Sequence, residues 1–486
     1  MTKPDIKRQA VRVPNSLRKS VDCYLGIRFA EIEHRFAPPI LIRDHGSKHV
    51  GSGYGPSPLQ PVSTGLPPDL QFSEDCLNLN VWAPASHSGA LPVVVWVYGG
   101  GFEGGSNASP LTNGSVLAAL GPMVVVSLNY RVGALGFSYL ADRGREFSHA
   151  TNLGVQDVIA GLRWVNENID NYGGEPTNIT VIGESAGGFI AAALAAAPTA
   201  KGLYHRLALF SGGASRLVPL GQAKKQADAL ILALHADDPL AALASGPAHD
   251  VQTAQRAFTA EDIGIRNSAV PQALGVVLDG GTPNAVLQKH PMEAFSSGEL
   301  SRIPILVSST QDEISLFRSA DPSRFDPPSS NTLISEMKSW GIPFERIAQL
   351  HQHYSSTGKT DPGSLKERML TDWIYRLPAL RLAQAHARAG GLAYLAMVPR
   401  AGEKPASHAC DVNAIFGIPA AAETADESTR RAAITSAVVA FATTGQPGWA
   451  EVRGNELNAS SFGDEKLDAT LNYTLLLELW DGISRP

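Results

Sequence analysis

An α/β fold, with a central and mostly parallel sheet flanked by helices, is predicted for this 486-residue chain from three observations. Apolar runs of strand length recur along it, and segments with a 3.6-residue apolar repeat lie between them. In Val181-Ile182-Gly183-Glu184-Ser185-Ala186-Gly187-Gly188, an apolar run then enters an alanine-rich segment through G-x-S-x-G. That pattern marks a tight strand-to-helix turn.

The elements follow in order. Residues 1–90 are rich in proline and glycine, with short alternating pieces, and predict an antiparallel N-terminal edge plus long loops. Buried strands are predicted at 93–98, 123–130 and 178–184, with further candidates at 206–211, 304–309 and 392–398. Residues 152–170 carry Val155, Ile159, Leu162, Val165 and Ile169 close to a helical repeat; 370–389 and 428–443 read likewise. Helical insertions are expected at about 213–302 and 321–362, the second irregular, with Pro322, Pro327 and Pro328. With no repeat and no linker, the simplest organisation is a single domain over 1–486.

Composition narrows the function classes. Apolar content of 44% and charged content of 18% describe an ordinary soluble globular protein. The net charge of −6 argues against nucleic acid as a partner. The first residues carry early charges and no apolar stretch of the kind that opens a secretory signal. Apolar runs such as 91–97 are too short to cross a bilayer, so no membrane partner is expected. Three cysteines, Cys23, Cys76 and Cys410, are few and odd in number, which fits a reducing, cytoplasmic setting.

Ser185 is the candidate nucleophile. The turn forces it into a strained backbone conformation, and the following helix aims free N–H groups at the same spot. The motif needs context, because 46 glycines make a chance match roughly 0.3–0.4 times in such a chain. Gly99-Gly100-Gly101 directly follows a predicted strand and leaves backbone N–H groups bare. With that of Ala186 they can form an oxyanion hole. A phosphate-binding loop is disfavoured, because no lysine follows at P-loop spacing.

A serine of this kind needs an acid and then a histidine, in that order. The run Pro304-Ile-Leu-Val-Ser-Ser-Thr-Gln-Asp312-Glu313 ends in two carboxylates, and the residues alone leave both open. Beyond it lie His351, His353, His386 and His408. His386 falls in a helix-period segment, where a solvated face is expected. His351 and His353 flank Gln352 without a third metal ligand, so no metal is implied. His408 lies in a loop after a predicted strand, which suits a loop-borne base.

Taken together, these segments resemble the type-B carboxylesterases, a family of α/β-hydrolase fold. The matches run through Gly26-Ile27-Arg28-Phe29-Ala30, Glu74-Asp75-Cys76-Leu77-Asn78-Leu79-Asn80, Trp96 to Phe102, Asn129-Tyr130-Arg131 and Asn152 to Asp157. They continue through the serine turn, Asp312-Glu313, and His408-Ala-Cys-Asp411 with Phe416-Gly417. The resemblance implies a serine hydrolase of small carboxylic esters that needs no cofactor. Its triad would be Ser185, Glu313 and His408, because the family acid is the second carboxylate of the pair. The oxyanion hole would be Gly100, Gly101 and Ala186. It also implies ion pairs Arg131–Asp157 and Arg35–Glu74, and a supporting hydroxyl at Ser211. Glu184 either steers water at the site or receives buried hydrogen bonds.

Three departures stand out. Pro58 occupies the position where Cys76 would find a disulfide partner, so Cys76 is expected as a free buried thiol. Ile314 replaces the glycine that follows the acid, which could reshape that turn. Glu103 adds a carboxylate beside the oxyanion loop, where it could disfavour anionic substrates. Two other functions fit the same residues: a carbamate or amide hydrolase with this triad, and a non-catalytic binding protein of the same fold. Acyl and alcohol preference and oligomeric state are not legible.

Overall fold

The computed structural model describes residues 9–11, 20–43, 53–61, 65–259, 274–454, 456–463 and 472–483. Parts of the expected N-terminal edge and of the first insertion (260–273) therefore lie outside the described residues. One sheet holds ten strands: β1 (Gln9–Val11), β2 (Val21–Arg28), β3 (Asn78–Pro84), β4 (Leu91–Val97), β5 (Val124–Leu128), β6 (Gly174–Glu184), β7 (Arg206–Phe210), β8 (Ile305–Thr310), β9 (Ala393–Val398) and β10 (Ala459–Ser461). Their spatial order is β1-β2-β3-β5-β4-β6-β7-β8-β9-β10. The pairings among β1, β2, β3 and β5 are antiparallel. All pairings from β5 through β4 to β10 are parallel.

That order positions the site. Beyond β4 the chain first adds β5 on one side and later adds β6 on the other, so connections diverge between β4 and β6. Crevices at such a switch point, outside the carboxyl ends of the strands, are where open α/β sheets bind ligands. The glycine loop leaves the end of β4 and Ser185 leaves the end of β6, so both reach this crevice. The central strands are buried on both faces, as Val93, Val94, Val95, Trp96 and Val97 show with at most 1% exposure. β-Branched side chains suit that position, because they pack on both pleated faces.

The helices follow the apolar repeat, with local differences at their ends. Leu153–Asn168 starts after Asn152, a left-handed residue whose side chain bonds both backbone groups of Val277. Ala425–Thr444 begins three residues earlier than its apolar repeat suggests, because Thr424 and Glu427 form a reciprocal capping box. The expected helix over 370–389 is two helices, Pro362–Thr371 and Leu377–Arg388, joined by one wider π turn at Asp372–Arg376. Such wide turns collect at functional sites.

Two expectations are corrected. His386 is fully buried, not on a solvated face: its ring meets Phe295 edge-on at 5.7 Å and its Nε2 lies 3.0 Å from the Ile303 carbonyl. Burial lowers its pKa, so the ring stays neutral and fills the core. Ile314 sits in the acid turn without backbone strain. It adopts φ −77°, where no glycine is needed, and is 1% exposed.

Candidate active site

Ser185 sits at φ 51° and ψ −123°, a conformation that side chains avoid and that the surrounding bonds must enforce. Its N–H donates to the Phe210 carbonyl at 2.9 Å, and its carbonyl receives the Phe189 N–H at 3.0 Å. Gly187 is required by proximity, since a Cβ there would lie 2.0 Å from the Val97 carbonyl oxygen. Ser185 is therefore locked between β4, β7 and its own helix, Ala186–Ala193.

The structure brings Ser185, Glu313 and His408 together. Ser185 Oγ lies 2.8 Å from His408 Nε2, and His408 Nδ1 lies 2.6 Å from Glu313 Oε2. With Nδ1–H donating to the carboxylate, Nε2 is left to accept the serine proton. Glu313 is fully buried, and its Oε1 accepts from Ser211 Oγ and from the Thr310 N–H, each at 2.7 Å. Asp312 faces other partners, Arg400 and the Ala406 N–H. Geometry thus separates two carboxylates that the residues alone left open.

The glycine loop passes directly against the serine. A Cβ on Gly99 would stand 3.0 Å from Ser185 Cβ. Gly100 has φ 119°, and a side chain there would meet the Gly104 carbonyl at 2.3 Å, so only glycine fits. The loop root is braced by Tyr98 and Tyr130, stacked with centroids 4.4 Å apart, and Tyr130 Oη donates to the Tyr98 carbonyl at 2.7 Å. Gln60 clamps the far end, accepting from Gly105 N and donating to Gly105 O. Ala186 opens the following helix, so its N–H has no intrahelical acceptor. Glu103 accepts from Gln255 Nε2 at 3.1 Å, which ties helix Ala248–Thr259 to this loop.

Two aromatic neighbours of the site, Tyr375 and Phe317, carry no sequence signal. The His408 ring contacts both, Tyr375 at 4.8 Å and Phe317 at 5.3 Å. Tyr375 comes from the π turn, which no apolar repeat reveals. Glu184 Oε1 stands 3.6 Å from His408 Nε2 and is 3% exposed, near enough to feel charge on the ring. Asp411 is fully buried three residues beyond the histidine. Burial first, and then the Glu313 charge, push its carboxyl from 3.8 up to about 7.

A stability prediction follows from Asp411. Between pH 4 and pH 7 the folded protein retains a proton that the unfolded chain has released. Stability therefore falls as pH rises through that window, by on the order of 4 kcal/mol for this group alone. Asp411→Asn is expected to flatten the denaturation midpoint against pH over this range and to be more stable than its parent at pH 8. Parallel curves for the two proteins would exclude it.

The expected ion pairs form. Arg131 Nη2 meets Asp157 Oδ1 at 2.7 Å with both side chains at most 5% exposed, and Arg35 Nη2 meets Glu74 Oε1 at 2.7 Å. Cys76 is 0% exposed, and no disulfide joins any of Cys23, Cys76 and Cys410. His351 and His353 lie two residues apart on helix Phe344–Ser356, so they point to different sides. Among the described residues no group of three or more His, Cys, Asp or Glu side chains could hold a metal, and no helix is long and apolar enough to cross a membrane.

A sequence profile of the "Carboxylesterase family" matches residues 9–467. The chain is 34% identical over 470 residues to para-nitrobenzyl esterase of Bacillus subtilis (strain 168), covering 92% of this chain and 91% of that one. It is 31% identical over 405 residues to phenmedipham hydrolase of Pseudarthrobacter oxydans, covering 80% and 76% respectively. A solved carboxylesterase of Geobacillus stearothermophilus superposes with a TM-score of 0.81 at 28% identity, over 98% of this chain and 99% of its own.

Proposed function

The chain belongs to the carboxylesterase family, a family of ester-hydrolysing serine enzymes, and within it we propose that Ser185, His408 and Glu313 carry the reaction on small-molecule esters. One observation carries this reading: a single imidazole bridges Ser185 Oγ at 2.8 Å and Glu313 Oε2 at 2.6 Å. A binding protein of the same fold has no need of this arrangement.

In the proposed path His408 Nε2 takes the Ser185 proton as Oγ attacks the ester carbonyl carbon. Negative charge gathers on the carbonyl oxygen, where the N–H groups of Gly100, Gly101 and Ala186 would receive it. Each such donor is worth about 10²–10³ in rate. His408 returns the proton to the leaving alkoxide oxygen, the carbon–oxygen bond breaks, and the acyl group stays on Ser185. Water, deprotonated by the same nitrogen, then releases the acid. Glu313 holds Nδ1–H throughout and stabilises the imidazolium without accepting its proton. Three unbridged cysteines support a reducing compartment as the setting.

Para-nitrophenyl esters of increasing acyl length test the path. An initial burst of nitrophenolate, equal to one per chain, is expected before the steady rate. Esters sharing one acyl group should then turn over at one kcat whatever the alcohol. Steady hydrolysis with no burst and with kcat tracking the alcohol would contradict an accumulating acyl-enzyme.

A further inference from the structure

The carboxylate next to the catalytic acid has its own task. Asp312 is 6% exposed, and its two oxygens accept from Arg400 Nη2 at 2.5 Å and Arg400 Nε at 2.8 Å. Oδ2 also accepts from the Ala406 N–H at 3.1 Å, while the Asp312 N–H donates to the Ala406 carbonyl at 2.9 Å. Gln311 adds two ties, from its N–H to the Val398 carbonyl and from the Arg400 N–H to its side-chain oxygen. One side chain thus binds both ends of the 400–406 segment, which leads from β9 to His408.

This segment needs such anchoring. Residues 402–405 are exposed, and His408 itself has a 3.2 Å backbone bond to the Glu313 carbonyl. The next residue, Ala409, is held at φ 62°, which costs a non-glycine residue about 1 kcal/mol or more. Left to itself, a loop of this kind relaxes and takes its histidine with it. His408 must meet two partners at once, and misplacement by about 1 Å can cost 10²-fold in rate.

From these contacts we infer that Asp312 and Arg400 are a positioning pair that sets the His408 imidazole against Glu313 and Ser185. Neither touches the reacting atoms. The doubly hydrogen-bonded guanidinium fixes the orientation of the carboxylate, and the carboxylate fixes Ala406, two residues before the base. The inference rests on His408 being the general base.

Arg400 is half-exposed, with 50% of its side chain open to solvent, so Arg400→Ala leaves a gap that a small cation can enter. The test measures kcat per active site, counted by the nitrophenolate burst, for Asp312→Asn, Arg400→Ala and the double variant. Each single variant is expected to lose about 10–100-fold in kcat with KM changed less than about threefold. The double variant should lose no more than the worse single one, because both act through one contact. Millimolar ethylguanidinium should restore Arg400→Ala at least about fivefold, while equal sodium chloride should not.

Per-site kcat within twofold of the parent in Arg400→Ala, or multiplicative losses in the double variant, would overturn the pairing. A fall in burst amplitude alone, with per-site kcat intact, would do so too, since it reports lost folding and not a misplaced base. Absence of a burst in the parent protein would mean that acylation limits turnover, and active sites are then counted by fluorophosphonate titration; absence of both burst and labelling at Ser185 would sink the serine mechanism itself. If Asp312→Asn fails to fold, the Arg400→Ala rescue still decides the matter.

Discussion

Ser185→Ala is expected to lower kcat for para-nitrophenyl esters by on the order of 10⁴–10⁶, with folding unaffected. The size follows from what is lost. Removing the hydroxyl deletes the covalent route, and what remains is water attack assisted by the oxyanion N–H groups. Folding is spared because Ser185 Oγ makes its hydrogen bond to His408 alone among the bonds found at that atom. Its strained backbone is held by Phe210 and Phe189, contacts an alanine keeps. Unfolding midpoints within about 1 kcal/mol of the parent should accompany the loss. Retained activity in a folded variant would remove Ser185 from the chemistry.

The largest effect on stability is expected from Asp157→Ala. Asp157 is fully buried and takes three hydrogen bonds from Arg131: from its N–H and Nε at 2.9 Å and from Nη2 at 2.7 Å. Deleting the carboxylate strands a buried guanidinium with the Ala37 carbonyl as its remaining partner. The cost should be on the order of 3–5 kcal/mol. A paired replacement, Arg131→Met with Asp157→Leu, should cost far less, because it removes the desolvation of both charges together. Arg131 also follows Tyr130, which braces the glycine loop beside Ser185, so the single variant should lose activity as it loses stability. Denaturant midpoints measure both proteins, and equal losses in the two would contradict this account.

The parts of the site tied to local chain geometry were legible in the sequence. Ser185 was marked by its glycines, because a strand-to-helix turn of this tightness excludes side chains at Gly187. Gly100 and Gly101 were marked by position, directly after an apolar strand. Glu313 and Asp312 were separated by the family resemblance and not by the residues themselves, since both follow the same strand. What divides them is the direction of each side chain, one toward His408 and one toward Arg400, and that is set by contacts 88 or more residues away in sequence. Tyr375 was invisible for another reason: it reaches His408 through a wide helical turn that leaves no trace in the apolar repeat. His386 was misplaced because periodicity reports a helix and not what packs over it.

The most direct measurement of the central claim is labelling by a fluorophosphonate ester, read by intact mass and peptide mapping. Fluorophosphonates capture an activated serine as a stable phosphonate ester, the serine oxygen displacing fluoride from phosphorus. The account predicts one adduct per chain, located on Ser185, with esterase activity lost in step with labelling. His408→Ala should slow that labelling by about 10²-fold or more. Stoichiometric labelling at another residue, or full activity after Ser185 is labelled, would contradict it.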